Sequence, residues 1–262
     1  MDLSLKNKRA VVCGSTQGIG KATAIELAKL GADITLVARN ETTLKLVLAS
    51  LDVSAEQQHN ILVADFSNHE AVKEKITTYA SNIDKVHILI NNTGGPPAGT
   101  VLDATAEEFL AAFSAHLLCN QHLVQALVPL MKNEKYGRII NVISTSVKVP
   151  IPGLGVSNTT RGAVANWAKT LANELAAEGI TVNNVLPGAT ATGRLDSIIN
   201  KGAEKAGITR AEKRNQMLKS VPAQRFAAPE EVAYAIAFLA SPAAGYVNGV
   251  NLPVDGGRTP SL

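Results

Sequence analysis

Residues 13–20 read Cys13-Gly14-Ser15-Thr16-Gln17-Gly18-Ile19-Gly20, which places three glycines at the spacing G-x-x-x-G-x-G. An apolar run ends at the cysteine, and a helical stripe of small and apolar residues follows the last glycine. In such a strand–turn–helix unit, Gly14 permits a tight turn, Gly18 lets the backbone approach a ligand, and Gly20 lets the helix pack closely on the strand. The free N–H groups that open the helix favour a phosphate group. Because strand, turn and helix are all present, the pattern predicts a dinucleotide-binding turn rather than a plain strand–helix connection.

Short runs rich in valine and isoleucine alternate with helical patterns along the whole chain. The runs show no regular polar alternation, which is typical of strands buried on both faces of a parallel sheet. This order predicts a single α/β domain over residues 1–262. Its architecture is a Rossmann-type, doubly wound parallel sheet of about seven strands with helices on both faces. The predicted strands are 9–13, 33–38, 61–64, 86–90, 138–143, 181–186 and 250–254.

Local signals predict where helices begin. Ser67-Asn-His-Glu70 and Thr105-Ala-Glu-Glu108 each have the spacing of a capping box, and the second opens a helical stretch toward Met131. Pro229, followed by two glutamates, suits the first turn of a helix. The polar stretch 190–226 contains three glycines. It is interpreted as an irregular insertion over the carboxyl edge of the sheet, where a substrate lid belongs.

The composition of the 262 residues excludes several classes of protein. Hydrophobic residues make up 46% and charged residues 18%, which excludes a disordered chain and supports a large core. The formal net charge of +3 gives no electrostatic reason to expect a nucleic acid or membrane partner. Two cysteines are too few for a disulfide framework, the first residues lack the apolar segment of a signal peptide, and no apolar run is long enough to span a bilayer. We therefore expect a cytoplasmic protein.

The second predicted strand ends in Val37-Ala38-Arg39-Asn40, with no acidic residue at its tip. In dinucleotide folds an acid at this place holds a ribose 2′-hydroxyl, whereas an arginine suits a 2′-phosphate. Arg39 therefore favours NADP(H) over NAD(H). The alternative is that Arg39 is a solvated surface charge.

Seven short motifs follow one another along the chain. They are Gly14-x3-Gly18-Ile19-Gly20, Asp65 after the third strand, Asn91-Asn92-Thr93-Gly94, Gly137-Arg138-Ile-Ile-Asn141-Val-Ile-Ser144, Gly179-Ile-Thr-Val-Asn183, Pro187-Gly188 and Val254-Asp255-Gly256-Gly257. In this order they resemble the short-chain dehydrogenase/reductase family over nearly the whole chain. The segments 238–242 and 255–257 resemble the 3-oxoacyl-acyl-carrier-protein reductase group of that family.

This resemblance implies an NADP(H) site, a small carbonyl or acyl-thioester substrate, and a homo-oligomer that is a tetramer or a dimer. It implies that the pyrophosphate is held by Gly14, Ser15, Thr16, Gln17, Gly18, Ile19 and Gly20. It implies that the adenine meets Asp65 and Phe66. It implies that Asn91, Thr93 and Gly94 lie beneath the adenosine ribose and the nicotinamide side of the cofactor. It also implies that the nicotinamide end meets Pro187, Gly188, Thr190 and Thr192.

The catalytic positions depart from the family pattern. The family uses a Ser, a Tyr and a Lys, the last two spaced Y-x-x-x-K on one helix face, together with an Asn on the long helix. Ser144 matches the serine, but Ser157 stands at the tyrosine position, Arg161 at the lysine position and His116 at the asparagine position. No tyrosine occurs in 137–233, so no small shift of the alignment restores the Y-x-x-x-K motif.

These replacements change the proton chemistry of the site. A serine hydroxyl is a far weaker acid than a phenol, yet it can donate a hydrogen bond to a carbonyl oxygen. Arg161 stays charged, so it cannot relay protons, but it can stabilise a developing alkoxide. An ordinary histidine pKa would suit His116 to acid catalysis if its ring reaches the pocket.

Three functional hypotheses follow. In the first, the protein is an NADP(H)-dependent oxidoreductase of the carbonyl reductase or alcohol dehydrogenase type, with 3-oxoacyl thioesters as substrates. Ser144 and Ser157 orient the carbonyl, Arg161 supplies charge, and His116 or water supplies the proton. In the second, the protein binds NADP(H) but is catalytically weak or inactive, and acts as a partner subunit or redox-state sensor. In the third, it is a structural member of an oligomer that has lost the cofactor. The glycine turn argues against the third, and the polar site that keeps its serine favours the first.

His116, Cys119 and His122 recur at three-residue spacing on one predicted helix. The first two have the spacing of metal ligands, but His122 points to another side of the helix. No acidic or cysteine cluster accompanies them, so no metal site is expected.

Overall fold

The computed structural model describes residues 1–261, which contain one sheet of seven parallel strands in the order β3-β2-β1-β4-β5-β6-β7. This confirms the predicted Rossmann-type sheet. The strands are β1 Arg9–Cys13, β2 Asp33–Ala38, β3 Asn60–Val63, β4 Ile88–Asn91, β5 Gly137–Val142, β6 Ile180–Pro187 and β7 Asn251–Val254.

Helices connect the strands and cover both faces of the sheet. Alternate residues of β1 belong to two different cores, because successive side chains of a strand point to opposite faces. The helices are α1 Gly18–Lys29, α2 Glu41–Leu48, α3 His69–Ser81, α4 Ala106–Phe113, α5 Cys119–Asn133, α6 Gly155–Leu175, α7 Gly193–Ala206, α8 Arg210–Lys219 and α9 Pro229–Ala240. Ala10 and Val12 pack with α1, α2 and α9, whereas Val11 and Cys13 pack with α3, α5 and α6.

The predicted helix starts differ in outcome. The capping box at Thr105 and Glu108 is confirmed, and α9 begins at Pro229 as predicted. The box predicted for 67–70 is wrong, because Asn68 caps α3 instead and its side chain accepts a hydrogen bond from the backbone of Ala71. An Asn accepts this bond as well as a Ser does, so the sequence offered two competing caps.

The stretch 190–226 is not irregular as predicted, because most of it forms α7 and α8. Thr192 caps α7, and Thr209 forms a full capping box with Glu212 at the start of α8. The Thr-x-x-Glu spacing was present in the sequence and was the signal that the prediction missed. Within residues 1–261, no helix combines the length and the apolar character that a membrane span requires.

Four asparagines form a ladder of side-chain hydrogen bonds across β4, β5, β6 and β7. Nδ2 of Asn91 donates to Asn141 at 2.8 Å, Asn141 donates to Asn184 at 2.9 Å, and Asn184 donates to Asn251 at 2.8 Å. The four residues are register partners on neighbouring strands. The ladder therefore fixes the register of half the sheet directly beneath the carboxyl ends of its strands.

β1 is an inner strand of the sheet, with β2 on one side and β4 on the other. The strand order runs outward from β1 to β3 on one side and from β4 to β7 on the other, so the order reverses between β1 and β4. Such a switch point leaves a crevice at the carboxyl ends of the strands, where open α/β sheets bind their ligands. The loops that follow β1 to β6 carry most of the predicted site residues.

Candidate active site

The glycine turn after β1 has the backbone that its sequence predicts. Gly14 and Gly18 have φ angles of +60° and +54°, in the left-handed region that favours glycine. A Cβ atom on Gly20 would lie 2.2 Å from the carbonyl oxygen of Gly14, so only glycine allows this approach of helix and turn. The N-cap residue of α1, Gln17, makes no side-chain cap hydrogen bond. The turn therefore presents backbone N–H groups at a helix start, which suits an anion.

Asn92 supports this turn, a role that the sequence analysis did not assign. Its Nδ2 donates to the carbonyl oxygens of Cys13 at 3.2 Å and Gly14 at 3.3 Å. By contrast, the side chain of Asn91 is buried in the asparagine ladder. Of the two asparagines of this motif, Asn92 holds the glycine turn and Asn91 holds the sheet.

Arg39 and Asp65 lie at the carboxyl ends of the neighbouring strands β2 and β3. Both residues are exposed. The backbone N–H of Ser67 is the main reason that the pKa of Asp65 is lowered, and the positive charge of Arg39 adds to the effect. No carboxylate within residues 1–261 forms an ion pair with Arg39. The guanidinium is therefore free to meet a phosphate.

The loops after β4 and β6 meet above the glycine turn. Nη2 of Arg194 donates to the carbonyl oxygen of Pro96 at 2.7 Å. Thr192 lies over Gly18, where an added Cβ would come within 3.1 Å of the threonine methyl group. The structure therefore brings the loops after the first, fourth and sixth strands together and places the predicted site residues Gly18 and Thr192 next to each other. Arg194 was not a predicted site residue, although it stands only two positions after Thr192 in the sequence.

The family's Ser, Tyr and Lys positions lie just after β5 and on α6. Ser157 and Arg161 are one turn apart on α6, and Ser144 follows the end of β5. Nη1 of Arg161 donates to the carbonyl oxygen of Val142 at 3.1 Å, which brings the guanidinium to the end of the strand that leads to Ser144. The oxygen of Ser144 accepts a hydrogen bond from the backbone of Ser146 at 3.1 Å. Both serines are half-buried.

Arg161 is a buried cation. Only 7% of the residue is exposed, and its Nε atom is buried without a hydrogen-bond partner. Burial, together with the positive charge of Arg194, lowers the pKa of Arg161 to about 10. The side chain is therefore still charged at neutral pH, as the sequence analysis assumed.

His116 lies on a π-helical turn, Ser114–Leu118, that interrupts the long helix predicted toward Met131. Such turns are frequent at functional sites. Burial lowers the pKa of His116 to about 2, with the charges of Arg161 and Arg194 acting in the same direction and a hydrogen bond to the backbone of Gly94 opposing them. The ring is therefore neutral at neutral pH, and the expectation that its pKa suits acid catalysis is wrong. Its role in the structure is to hold the loop after β4.

The histidines of the long helix do not join in one metal site. Cys119 is buried and its Sγ contacts the carbonyl oxygen of Phe66, whereas His122 pairs with His69 on α3. His69, Glu70 and His122 could hold a metal ion, since their ligand atoms all lie within 4.8 Å of one another. The two ring nitrogens are 3.2 Å apart with ring centroids separated by 5.5 Å, which is the arrangement of an in-line N–H···N hydrogen bond. A hydrogen-bonded histidine pair accounts for this cluster.

Residues 14–259 match a protein-family model described as enoyl-(acyl carrier protein) reductase. The 3-oxoacyl-(acyl-carrier-protein) reductase FabG of Haemophilus influenzae is 33% identical over 253 residues, which cover 97% of this chain and 98% of that protein. The NADPH-dependent reductase BacG of Bacillus subtilis is 29% identical and is covered over 100% of its length by 98% of this chain. The structure of L-sorbose reductase from Gluconobacter frateurii, complexed with NADPH and L-sorbose, has a TM-score of 0.93 and 31% identity, with 100% of each chain covered.

Proposed function

The chain belongs to the short-chain dehydrogenase/reductase family. We propose that it reduces a carbonyl group with NADPH at a site formed by Ser144, Ser157 and Arg161. The observation that carries this proposal is the charged, buried guanidinium of Arg161 at the end of β5, with Nε unpartnered. A buried charge without an acidic partner destabilises the fold, so its presence here is best explained by a function. We propose 3-oxoacyl thioesters as the first substrates to test, because the reductase of H. influenzae shares 33% identity with this chain.

The residues present fit NADP(H), which supplies or accepts the hydride when it is bound. We assign the pyrophosphate to the backbone of the glycine turn, 14–20, where a Cβ on Gly20 cannot be accommodated. We assign the 2′-phosphate to the exposed and unpaired Arg39, and the adenine to Asp65 beside it. The loops that carry Gly94 and Thr192 then lie at the nicotinamide end, since they meet above Gly18.

The roles of the catalytic residues follow from their charges and hydrogen bonds. The hydroxyls of Ser144 and Ser157 donate to the substrate oxygen and orient it. Arg161 stabilises the negative charge that develops on this oxygen, in a buried place where a fixed charge acts strongly. Water delivers the proton, because His116 is neutral and is engaged with Gly94.

One observation favours the alternative of a weak or inactive NADP(H)-binding protein. None of the four candidate residues, Ser144, Ser157, Arg161 and His116, is a proton donor with a pKa near neutrality. In that alternative the chain binds the cofactor and acts as a partner subunit or redox-state sensor. The two proposals differ in whether NADPH is consumed.

The test is NADPH oxidation with acetoacetyl-CoA by the wild type and by the double variant Ser157→Tyr, Arg161→Lys. We expect turnover by the wild type and a kcat about 10²-fold higher in the double variant, since a positioned proton donor typically contributes about 10²–10⁴-fold. If the double variant oxidises NADPH and the wild type does not, the result would instead support the alternative of an inactive NADP(H)-binding protein. Absorbance at 340 nm follows the reaction, and a sample without substrate is the control.

Arg39→Ser tests the assignment of the 2′-phosphate. We expect the Kd for NADPH to rise about 10–100-fold, because a charge-assisted hydrogen bond is worth about 1.5–3 kcal/mol. The Kd for NADH serves as the matched control and should stay unchanged, since NADH lacks the 2′-phosphate. Fluorescence titration measures both, and an equal loss for the two cofactors would show that Arg39 acts elsewhere.

We further propose that α7 and α8 act as a substrate lid and that the chain assembles into a homo-oligomer. Support for the lid is the contact of Arg194 with Pro96 across the crevice. Support for the oligomer is a group of exposed apolar side chains at and before α4, namely Val101, Leu102 and Leu110. The cytoplasmic location stays a prediction from the sequence.

A further inference from the structure

Two arginines converge on one point beside Gly95. A Cβ atom built on Gly95 would lie 3.3 Å from Nη2 of Arg194 and 3.7 Å from Nη2 of Arg161. The two side chains come from different elements, α6 and the start of α7, and the loop after β4 lies between them. The glycine leaves the space between the guanidinium groups free of a side chain.

No acidic group balances this pair of cations. Neither arginine forms an ion pair within residues 1–261, and no carboxylate there contributes to the pKa of Arg161 or of the neighbouring His116. Other exposed arginines of the segment 190–226 do have acidic partners. Arg210 forms an ion pair with Asp196, and Arg225 forms one with Glu231. Arg194 is exposed, whereas Arg161 is buried. A buried cation that has a second cation beside it and no acidic partner is costly, so this arrangement indicates an anionic ligand.

The unpartnered hydrogen-bonding edge of Arg161 has the geometry that binds a carboxylate. Nη1 is occupied by the carbonyl oxygen of Val142, whereas Nε is unpartnered and Nη2 faces Gly95. Nε and Nη2 form one side of the guanidinium plane, which binds the two oxygens of a carboxylate in a parallel, bidentate manner. Arg194 keeps further N–H groups besides the one that binds Pro96.

We infer that the substrate carries a carboxylate close to its reacting carbonyl, and that Arg161 and Arg194 bind this carboxylate together. This inference rests on the proposed reduction and narrows its substrate class to oxo acids, ahead of neutral ketones and thioesters. We expect a short spacing between the carboxylate and the carbonyl, because the proposed reduction assigns Arg161 to the reacting oxygen as well. A carboxylate one or two carbons from the carbonyl allows one guanidinium to bind both groups.

The first experiment compares acetoacetate with its methyl ester, which keeps the four-carbon 3-oxo chain but lacks the charge. For the wild type with NADPH, we expect kcat/KM to be about 10–100-fold higher for the acid, as one charge-assisted pair predicts. Arg194→Gln should remove this preference, so that the ratio of kcat/KM for the acid to kcat/KM for the ester falls to about one. The control is Arg210→Gln, the same substitution at an arginine of the same segment that already has an acidic partner.

The second experiment measures binding without turnover. Malonate is titrated calorimetrically into the complex of the protein with NADP⁺, and we expect Arg194→Gln to weaken its Kd about tenfold or more. NADPH affinity is measured in parallel and should be unchanged, which separates a substrate carboxylate from a cofactor phosphate as the ligand of the pair.

The outcomes separate this inference from the proposed function. Equal turnover of acid and ester by the wild type, or a loss confined to NADPH affinity in Arg194→Gln, overturns the carboxylate site and leaves the reductase intact. Binding of malonate that depends on Arg194, with neither compound reduced, supports the carboxylate site while the proposed reduction fails. A malonate Kd that is the same in Arg194→Gln and wild type overturns the inference whatever the activity.

Discussion

Arg161→Met is expected to lower activity strongly while raising the stability of the protein. The guanidinium is buried, donates one hydrogen bond within the protein, and has no carboxylate partner among residues 1–261. Removing it abolishes the charge that we propose stabilises the substrate oxygen, and we expect this loss to cost about 10²–10³-fold in kcat. It also removes a desolvated charge from the folded state, so the free energy of unfolding should rise by about 1 kcal/mol.

Arg138 provides the matched control for this prediction. It is also buried, but it donates to the carbonyl oxygens of Gly137, Gly179 and Ser241 and lies 4.1 Å from the ring centroid of Tyr136. Arg138→Met leaves these groups without their partner, so we expect it to lower the free energy of unfolding by about 2–4 kcal/mol. Urea titration measures both variants. If Arg161→Met destabilised the protein as much as Arg138→Met, Arg161 would be a structural residue.

Asn141→Leu is expected to be the most destabilising substitution in the sheet outside the hydrophobic core. Asn141 is fully buried, and its side chain both accepts from Asn91 and donates to Asn184. Leucine has a similar size and can do neither, which leaves one buried donor and one buried acceptor unpaired. At about 1–3 kcal/mol for each unpaired group, the free energy of unfolding should fall by about 3–4 kcal/mol.

The end of the same ladder supplies the control. Asn251 is exposed and accepts one hydrogen bond, from Asn184 at 2.8 Å. Because water can replace it, Asn251→Leu should cost less than about 1 kcal/mol. Fluorescence of Trp167, the single tryptophan, follows the urea unfolding of both variants. Equal effects of the two substitutions would contradict a ladder whose stability comes from buried hydrogen bonds.

Much of this architecture could be predicted from local sequence. The first two strands, 9–13 and 33–38, were predicted with the bounds that the structure has, because runs of β-branched residues buried on both faces have no other common explanation. The glycine turn and the cap at Thr105 also depend on neighbouring residues only. The placement of Ser157 and Arg161 one turn apart on a helix follows from their spacing in the same way.

Other features depend on residues that are distant in the sequence. The ordinary pKa of a histidine suggested an acid at His116, but burial and two arginines from other elements lower its pKa to about 2. The asparagine ladder needs four strands in one register, and no single segment reveals it. The convergence of Arg194 on Arg161 follows from the path of the loop after β6 over the crevice.

The sequence by itself therefore determined the parallel sheet, the glycine turn and the identities of the residues at the family's catalytic positions. Each of these follows from contacts within a few residues, where steric limits and periodicity act directly. Only the tertiary structure decided which charges lie together, which are buried and which lack a partner. Electrostatic energies depend on distance and on exclusion of water, and both are set by how strands and helices from different parts of the chain pack.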